Sequence, residues 1–528
     1  MKRFVFTATL VACAATMTAP ASAQARPDES KRIQPITVHV QQAALERTPE
    51  QMAAFDATFA MPSQEREEPA PRPTIDAALY TQLKRDAELA PHSVRPGSLA
   101  PSSLAATSLK FTGATECDGP GGCWAPADVA GSIGKAQFVS VSNDVIEIRS
   151  RTGALLSINS LNGFFGYSTQ SLFDPRVQWD EEYQRWIVTA DAFAESTTVQ
   201  YIYMAFSKTS SAIGSWWIYR VNTNGFTGTG SFYDYPMLGL TQDAVLFTSN
   251  VFGSSSFLGS YLFSVAKARV YNGFGWSVPV WGGLYATLEP PHQLLTDQNG
   301  YAWLAAAPGG SSSIQMYALA FPANPTDIHL YGPYTVSGVS AYGIPPAAQQ
   351  PATCAPAGAK LDTLDNRFQN QGTQSGDLYY QTHTTNDFGV PTSRYYIIKG
   401  LLAFAPAISV QNDFWASSTS NDFNPSIAVD PAGRFGINWS STDTSVLASM
   451  RFTDNNGANP SGATGINVFT SASCYANVKT NRWGDYSQTT VDPGSGPVAN
   501  TNTKVFWIDN ETIPSANFWS TEIGKINY

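Results

Sequence analysis

A hairpin-sized unit recurs along this chain, and that recurrence limits the folds open to it more than any other feature. The clearest copy is Asn424 to Thr442, NPSIAVDPAGRFGINWSST. Ile427 and Val429 alternate with Ser426 and Ala428. After the turn Pro431-Ala432-Gly433, Phe435, Ile437 and Trp439 alternate with Gly436 and Asn438. Period-two alternation on both sides of a Pro/Gly turn marks a β-hairpin with one buried face. Related copies start at Pro126, Pro175, Pro236, Pro291, Asn366, Pro425 and Tyr486, at intervals of 49 to 75 residues. Roughly 50 to 60 residues hold one four-stranded antiparallel sheet with its loops, and radial repetition of such sheets is a β-propeller.

The expected fold is therefore all-β, a propeller of seven four-stranded blades, or six because the copy at Pro126 is the most diverged. The last copy holds only three strand candidates: Ser487 to Val491, Val505 to Ile508 and Phe518 to Ile526. Ser108 to Thr112 is the natural donor of the fourth, closing the ring and removing a sheet edge. Trp179, Trp186, Trp303 and Trp439 are expected in the core between blades.

Three divisions follow. Residues 1–23 read as a cleaved signal peptide: a basic Met1-Lys2-Arg3, an apolar run from Phe4 to Ala15, and Ala21-Ser22-Ala23 as cleavage site. Residues 24–105 read as an arm or linker, partly helical or disordered, with helical stretches at Glu46–Phe59 and Ile75–Leu89 around a charged, proline-rich segment. Residues 106–528 form the propeller domain. Export to the periplasm or the extracellular space is expected. No later run is apolar enough to span a bilayer. A net charge of -10 without a basic run argues against nucleic acid. Four cysteines remain after the signal peptide, and Cys117–Cys123 with Cys354–Cys474 is the expected disulfide pairing. No cofactor and no metal centre are expected. Loops such as Asp454-Asn455-Asn456 and Asn421-Asp422 offer oxygen ligands to a structural calcium, but without EF-hand spacing.

Two turns, Asp430-Pro431-Ala432-Gly433 ending in Trp439 and Asp297-Gln298-Asn299-Gly300 ending in Trp303, look like degenerate Asp-box turns. On them the chain resembles, at fold level, the sialidase-like superfamily of propellers. In true sialidases three arginines hold the substrate carboxylate and a Tyr/Glu pair supplies the nucleophile. The resemblance points to Arg176, Arg367 and Arg482, which sit at or near blade starts.

In a propeller the first strand of every blade starts on one face of the central channel, and the second returns to it. Polar residues at those places converge, and such concave mouths favour ligands. First-strand starts supply Asp174, Arg176, Asp234, Tyr235, His292, Asp365, Arg367, Asn424, Arg482 and Asp485; second-strand ends supply Asp191, Asn250, His383 and Glu511. Paired carboxyl groups are the machinery of glycoside hydrolysis, with Asp174, Asp234, Asp365 and Asp485 as candidates and a polysaccharide as substrate. Tyr235 with His292 or His383, and an arginine on a uronate carboxylate, would instead serve a polysaccharide lyase. A third reading is a non-catalytic glycan-binding or cell-surface scaffold, in which Asp and Asn before proline only form turns.

Overall fold

The computed structural model describes residues 25–59, 66–67, 72–96, 105–119, 122–228, 230–309, 312–354, 359–455, 459–476, 482–495, 504–516 and 518–528. The signal peptide expected at 1–23 lies outside the described residues, as does Asn456 of the suggested calcium loop. Alternating apolar residues produce seven antiparallel units in chain order. Blade 1 runs from Ala130–Ile133 to Leu155–Ser160, and blade 2 from Leu172–Asp180 to Trp216–Asn222. Blade 3 runs from Phe232–Leu240 to Trp276–Leu284. In blade 4 the inner position is taken by an isolated bridge from Glu289 to Ala305, the other strands ending with His329–Thr335. The short strand His292–Gln293 that follows pairs in parallel with the first strands of blades 3 and 5. Blade 5 runs from Thr373–Ser375 to Ala407–Trp415, and blade 6 from Asn421–Val429 to Ile466–Thr470.

Blade 7 consists of Gln488–Val491, Val505–Ser515, Phe518–Asn527 and, from the other end of the chain, Ala106–Thr115. The closing strand thus joins the outer edge of the last blade, antiparallel, with Phe111 opposite Ile523. A separate apolar cluster fills each seam between neighbours. Trp186 and Trp216 lie between blades 1 and 2, Trp303 between 4 and 5, and Trp439 between 5 and 6. Trp507 and Ile523 meet Ile133 and Phe138 where blade 7 returns to blade 1. The described strands thus group into seven units, the last packing back against the first. Cys117–Cys123 and Cys354–Cys474 are the two disulfides, paired as the spacing suggested.

The arm is more integrated than a linker. Arg32–Ile33, Thr37–Gln41 and Leu45–Arg47 add antiparallel strands to the outer edges of blades 4, 3 and 2 in turn. Those edges would otherwise expose unpaired backbone groups. A first helix, α1 (Pro49–Asp56), starts at a capping box formed by Thr48 and Gln51 and sends Met52 into the core of blades 1 and 2. Asp56 accepts hydrogen bonds from Asn159 Nδ2 (3.0 Å) and Ser160 N (3.1 Å). A second helix, α2 (Ala77–Leu89), is capped by Asp76, whose carboxylate accepts from Ala78 N and Leu79 N.

Ring closure has a measurable consequence. Trp507 is fully buried at the seam, stacks 5.4 Å from Phe138, and donates its indole N–H to Asp492 at 2.8 Å. Trp507→Ala should cost about 3–5 kcal/mol in denaturant unfolding. Leu258→Ala, at a side chain 39% exposed, should stay within about 0.5 kcal/mol.

Candidate functional site

The first strands of several blades begin with the same local distortion. Asp128, Asp174, Tyr235, Thr287 and Asn424 have left-handed φ between 47° and 60°. The ladder slips just after Phe173, Asp234 and Phe423, as a β-bulge requires. Left-handed backbone at a non-glycine residue costs of order 1–3 kcal/mol and must be held by its surroundings. Here the preceding blade holds it. Asp174 N donates to Asn143 Oδ1 (2.8 Å), Thr287 N to Asn250 Oδ1 (2.7 Å), and Asn424 N to Thr384 Oγ1 (3.0 Å). Asp485 N donates to Asp128 Oδ1 (2.6 Å), tying blade 7 to blade 1. Where the turn reading has Asp or Asn bonding its own backbone, Asp174 and Asn424 are bonded across blades at these amides.

The bulges gather polar side chains around the channel axis. Tyr235 and Tyr486 meet edge to face with centroids 5.0 Å apart. The Arg176 guanidinium lies 3.3 Å over the Tyr486 ring and donates to the Pro236 and Gln369 carbonyls (3.0 and 3.2 Å). Arg367 lies 4.7 Å over Tyr235 and grips Asp365 through two bonds of 2.8 Å. Arg482 donates to Asp485 at 2.8 Å, and Tyr486 donates its hydroxyl to Asp174 Oδ2 at 2.8 Å. Asn424 joins them by accepting from Gln369 Nε2 (2.8 Å) and donating to the Gly484 carbonyl.

Nine residues expected at the mouth are thus brought together: Asp174, Asp234, Asp365, Asp485, Tyr235, Arg176, Arg367, Arg482 and Asn424. Their charges diverge. Burial pushes Asp365 upward, but the Arg367 guanidinium more than offsets it and holds the carboxyl below its usual range. Asp174 is driven well upward by burial and by its neighbours Asp128, Asp234 and Asp485. Burial also raises Asp234, against the pull of Arg367 and Arg482. Asp485 is raised by burial, with Asp128 adding to the effect and Arg482 opposing it. Asp174 Oδ1 and both carboxyl oxygens of Asp191 and Glu289 have no hydrogen-bond partner among the described residues. Burial drives the Tyr235 phenol well above its ordinary value.

The two histidines are corrections. His292 was expected at this mouth, but it lines a cavity of about 120 Å³ at the other end of the first strands, with Trp179, Thr373 and Val429. The left-handed residue of blade 4 is Thr287, so the strand has already run its length at His292. His383 is packed inside blade 5. Its Nδ1–H donates to the Asn366 carbonyl (2.8 Å), its Nε2 accepts from the Tyr396 hydroxyl (2.9 Å), and burial pushes its pKa down to about 3. Both nitrogens are committed.

Sequence reasoning missed Asp128, Glu289, Arg72 and Tyr80. Asp128 shares its left-handed φ with Asp174, a parallel hidden by the divergence of the first copy. Arg72 and Tyr80 belong to the arm, which crosses the mouth. Arg72 lies 4.5 Å over the Phe232 ring at the start of blade 3, and its charge acts on Asp234. Tyr80 of α2 is close enough to Asp365, Asp362 and Asp485 for their charges to act on its phenol.

No family model and no curated protein matches this chain. Among solved structures, it is similar to the Trypanosoma rangeli sialidase in complex with the inhibitor DANA: 8% identity, 72% of this chain and 58% of that one, TM-score 0.35. It is also similar to a subtype N10 neuraminidase-like protein of A/little yellow-shouldered bat/Guatemala, at 7% identity, 69% of this chain and 100% of that one, TM-score 0.34. An exo-beta-1,3-galactanase from Phanerochaete chrysosporium with beta-1,3-galactotriose follows at 10% identity, 79% of this chain and 99% of that one, TM-score 0.29. The chain spans 58% of the length of the sialidase it matches. These likenesses are of fold and carry no correspondence of residues.

The unpartnered carboxyl of Glu289 makes a pH prediction. Burial raises its pKa to about 8, with only Arg176 opposing. An acid raised above its unfolded value of about 4.3 stabilises the folded state at low pH and loses that contribution as pH rises toward the folded value. Glu289→Gln should match wild type in unfolding free energy at pH 4 and exceed it by several kcal/mol at pH 8.

Proposed function

We propose that this chain is an exported glycan-active propeller, a glycoside hydrolase working on a polysaccharide at the axial mouth. One observation carries the reading: carboxyl groups whose surroundings push them in opposite directions gather around the Tyr235–Tyr486 pair. The Arg367 guanidinium holds Asp365 below the usual carboxylate range, while burial and neighbouring carboxyls drive Asp174 well above it. Environments that push neighbouring acids apart are how glycosidases assign a proton donor and an ionised partner. In this reading Asp174 donates the proton, oriented by the Tyr486 hydroxyl, and Asp365 supplies the ionised carboxylate. Arg176 donates to carbonyls, so its charge is available to an acidic group on the glycan. Two disulfides support export, together with the basic and apolar N-terminal sequence. Among the described residues no helix is long and apolar enough to cross a membrane.

The lyase alternative loses support. It needs a tyrosine or histidine base, and His292 lines the cavity at the other end of the strands while both ring nitrogens of His383 are engaged by Asn366 and Tyr396. The scaffold alternative keeps one observation in its favour: the same residues stitch neighbouring blades together.

Asp174→Asn separates hydrolase from scaffold. The amide matches a protonated acid in shape, so unfolding stability should hold. Glycan cleavage should fall by about a hundredfold or more, the scale of general acid catalysis. Undiminished cleavage would remove Asp174 as proton donor; glycan binding without product, in wild type as well, would favour the scaffold.

A further inference from the structure

Resting on the hydrolase reading, we propose that residues 72–90 are a releasable inhibitory segment, and that the propeller mouth is its docking surface. The segment crosses the mouth as a chord. Arg72 covers Phe232 of blade 3. Thr74 and Asp365 both border Gly309 of blade 4, where an added Cβ would lie 3.3 Å from Thr74 Oγ1 and 3.8 Å from Asp365 Oδ2. Lys84 of α2 donates to the Leu364 carbonyl and to the Pro345 carbonyl (3.2 Å), and pairs with Asp362 at 3.6 Å. Glu88 accepts from Ala347 N at 2.6 Å and pairs with Lys360. Tyr80 of the same helix stands beside the axial carboxyls. Asp365 is buried, and the Lys84 charge acts on it.

The contacts divide into a firm anchor and a light lid. The anchor is Arg95, fully enclosed, donating to Asp422 (3.0 Å), to the Ser420 and Pro391 carbonyls (2.6 and 2.8 Å) and to Thr392 Oγ1 (2.6 Å). On the other side Arg66–Glu67 pairs with Trp124–Ala125. Between them α2 touches the ring through one stripe: Tyr80, Leu83, Lys84, Ala87 and Glu88. Of these only Ala87 is buried. The spacing of three and four residues places them on one helix face. Polar contacts and little apolar burial make a low-cost opening unit, unlike the tryptophan-filled seams. The helix lifts while its ends stay fastened.

The test uses the full chain with Lys84→Ala/Glu88→Ala, and Asp76→Ala, which removes the α2 cap, as a second variant should the first fail to fold. Hydrogen exchange reads the mouth without reference to chemistry. Amides at 362–367 and 484–486 should exchange at least tenfold faster in the variants, and cleavage of a panel of neutral and acidic polysaccharides should rise by a similar factor. Gln82→Ala, on the exposed face, should change neither. Faster exchange without cleavage of any polysaccharide keeps the lid and removes the hydrolase reading. Unchanged exchange at the mouth, or wild-type cleavage as fast as the variants', overturns the lid and leaves the hydrolase reading standing.

Discussion

One type of hydrogen bond, from the backbone N–H at a bulged blade start to a side chain of the blade before it, sets the shape of the mouth. Asp174 N to Asn143, Thr287 N to Asn250 and Asn424 N to Thr384 are the plainest cases. Each holds a left-handed residue that would not otherwise persist. The bulge swings the following side chains toward the axis, which is why Asp174, Arg176, Asn424 and Asp485 share one small volume though far apart in sequence. The bonds that hold the blades together therefore also set where these polar side chains converge.

Crowding carboxyls around a buried axis has an electrostatic consequence. Ionising them all would bury many like charges, so some lie against an arginine and others are pushed toward the neutral form. Asp365 takes Arg367 in a two-point grip, and Asp485 takes Arg482 at a single bond. Asp174, Asp191 and Glu289 are pushed up by burial. The arm adds cations at the rim: Arg72 acts on Asp234, and Lys84 sits by Asp362. Seating the arm thus shields the mouth from water and complements its charge.

The ring was legible in the sequence because its signals are physical and repeated. Alternation at Ile427, Val429, Phe435, Ile437 and Trp439 marked the strands, and the three-strand last copy required a donor such as Ser108–Thr112. Both faces of this hairpin are buried, Ser426 and Asn438 included, and not one face as the alternation suggested, because each blade packs against a neighbour on either side. Charged and polar residues at blade starts were also legible as a converging set. What failed was local register. In blade 4 the pair Pro290-Pro291 resembled the Asp-Pro and Tyr-Pro starts elsewhere, whereas the left-handed residue is Thr287, and Glu289, not His292, lies near Arg176. His383 broke the repeat for packing reasons, between Tyr342, Phe368 and Tyr396. The arm's strands were hidden because Arg32–Ile33 and Leu45–Arg47 are two and three residues long and gain their order from edges already built.

The central claim is that neutral and ionised carboxyls coexist at one mouth. Infrared titration of the carboxyl C=O stretch in the full chain tests it most directly. Protonated carboxylic acids should persist near neutral pH, and part of that signal should disappear in Asp174→Asn. A spectrum in which every carboxyl is ionised well below neutrality would contradict the account.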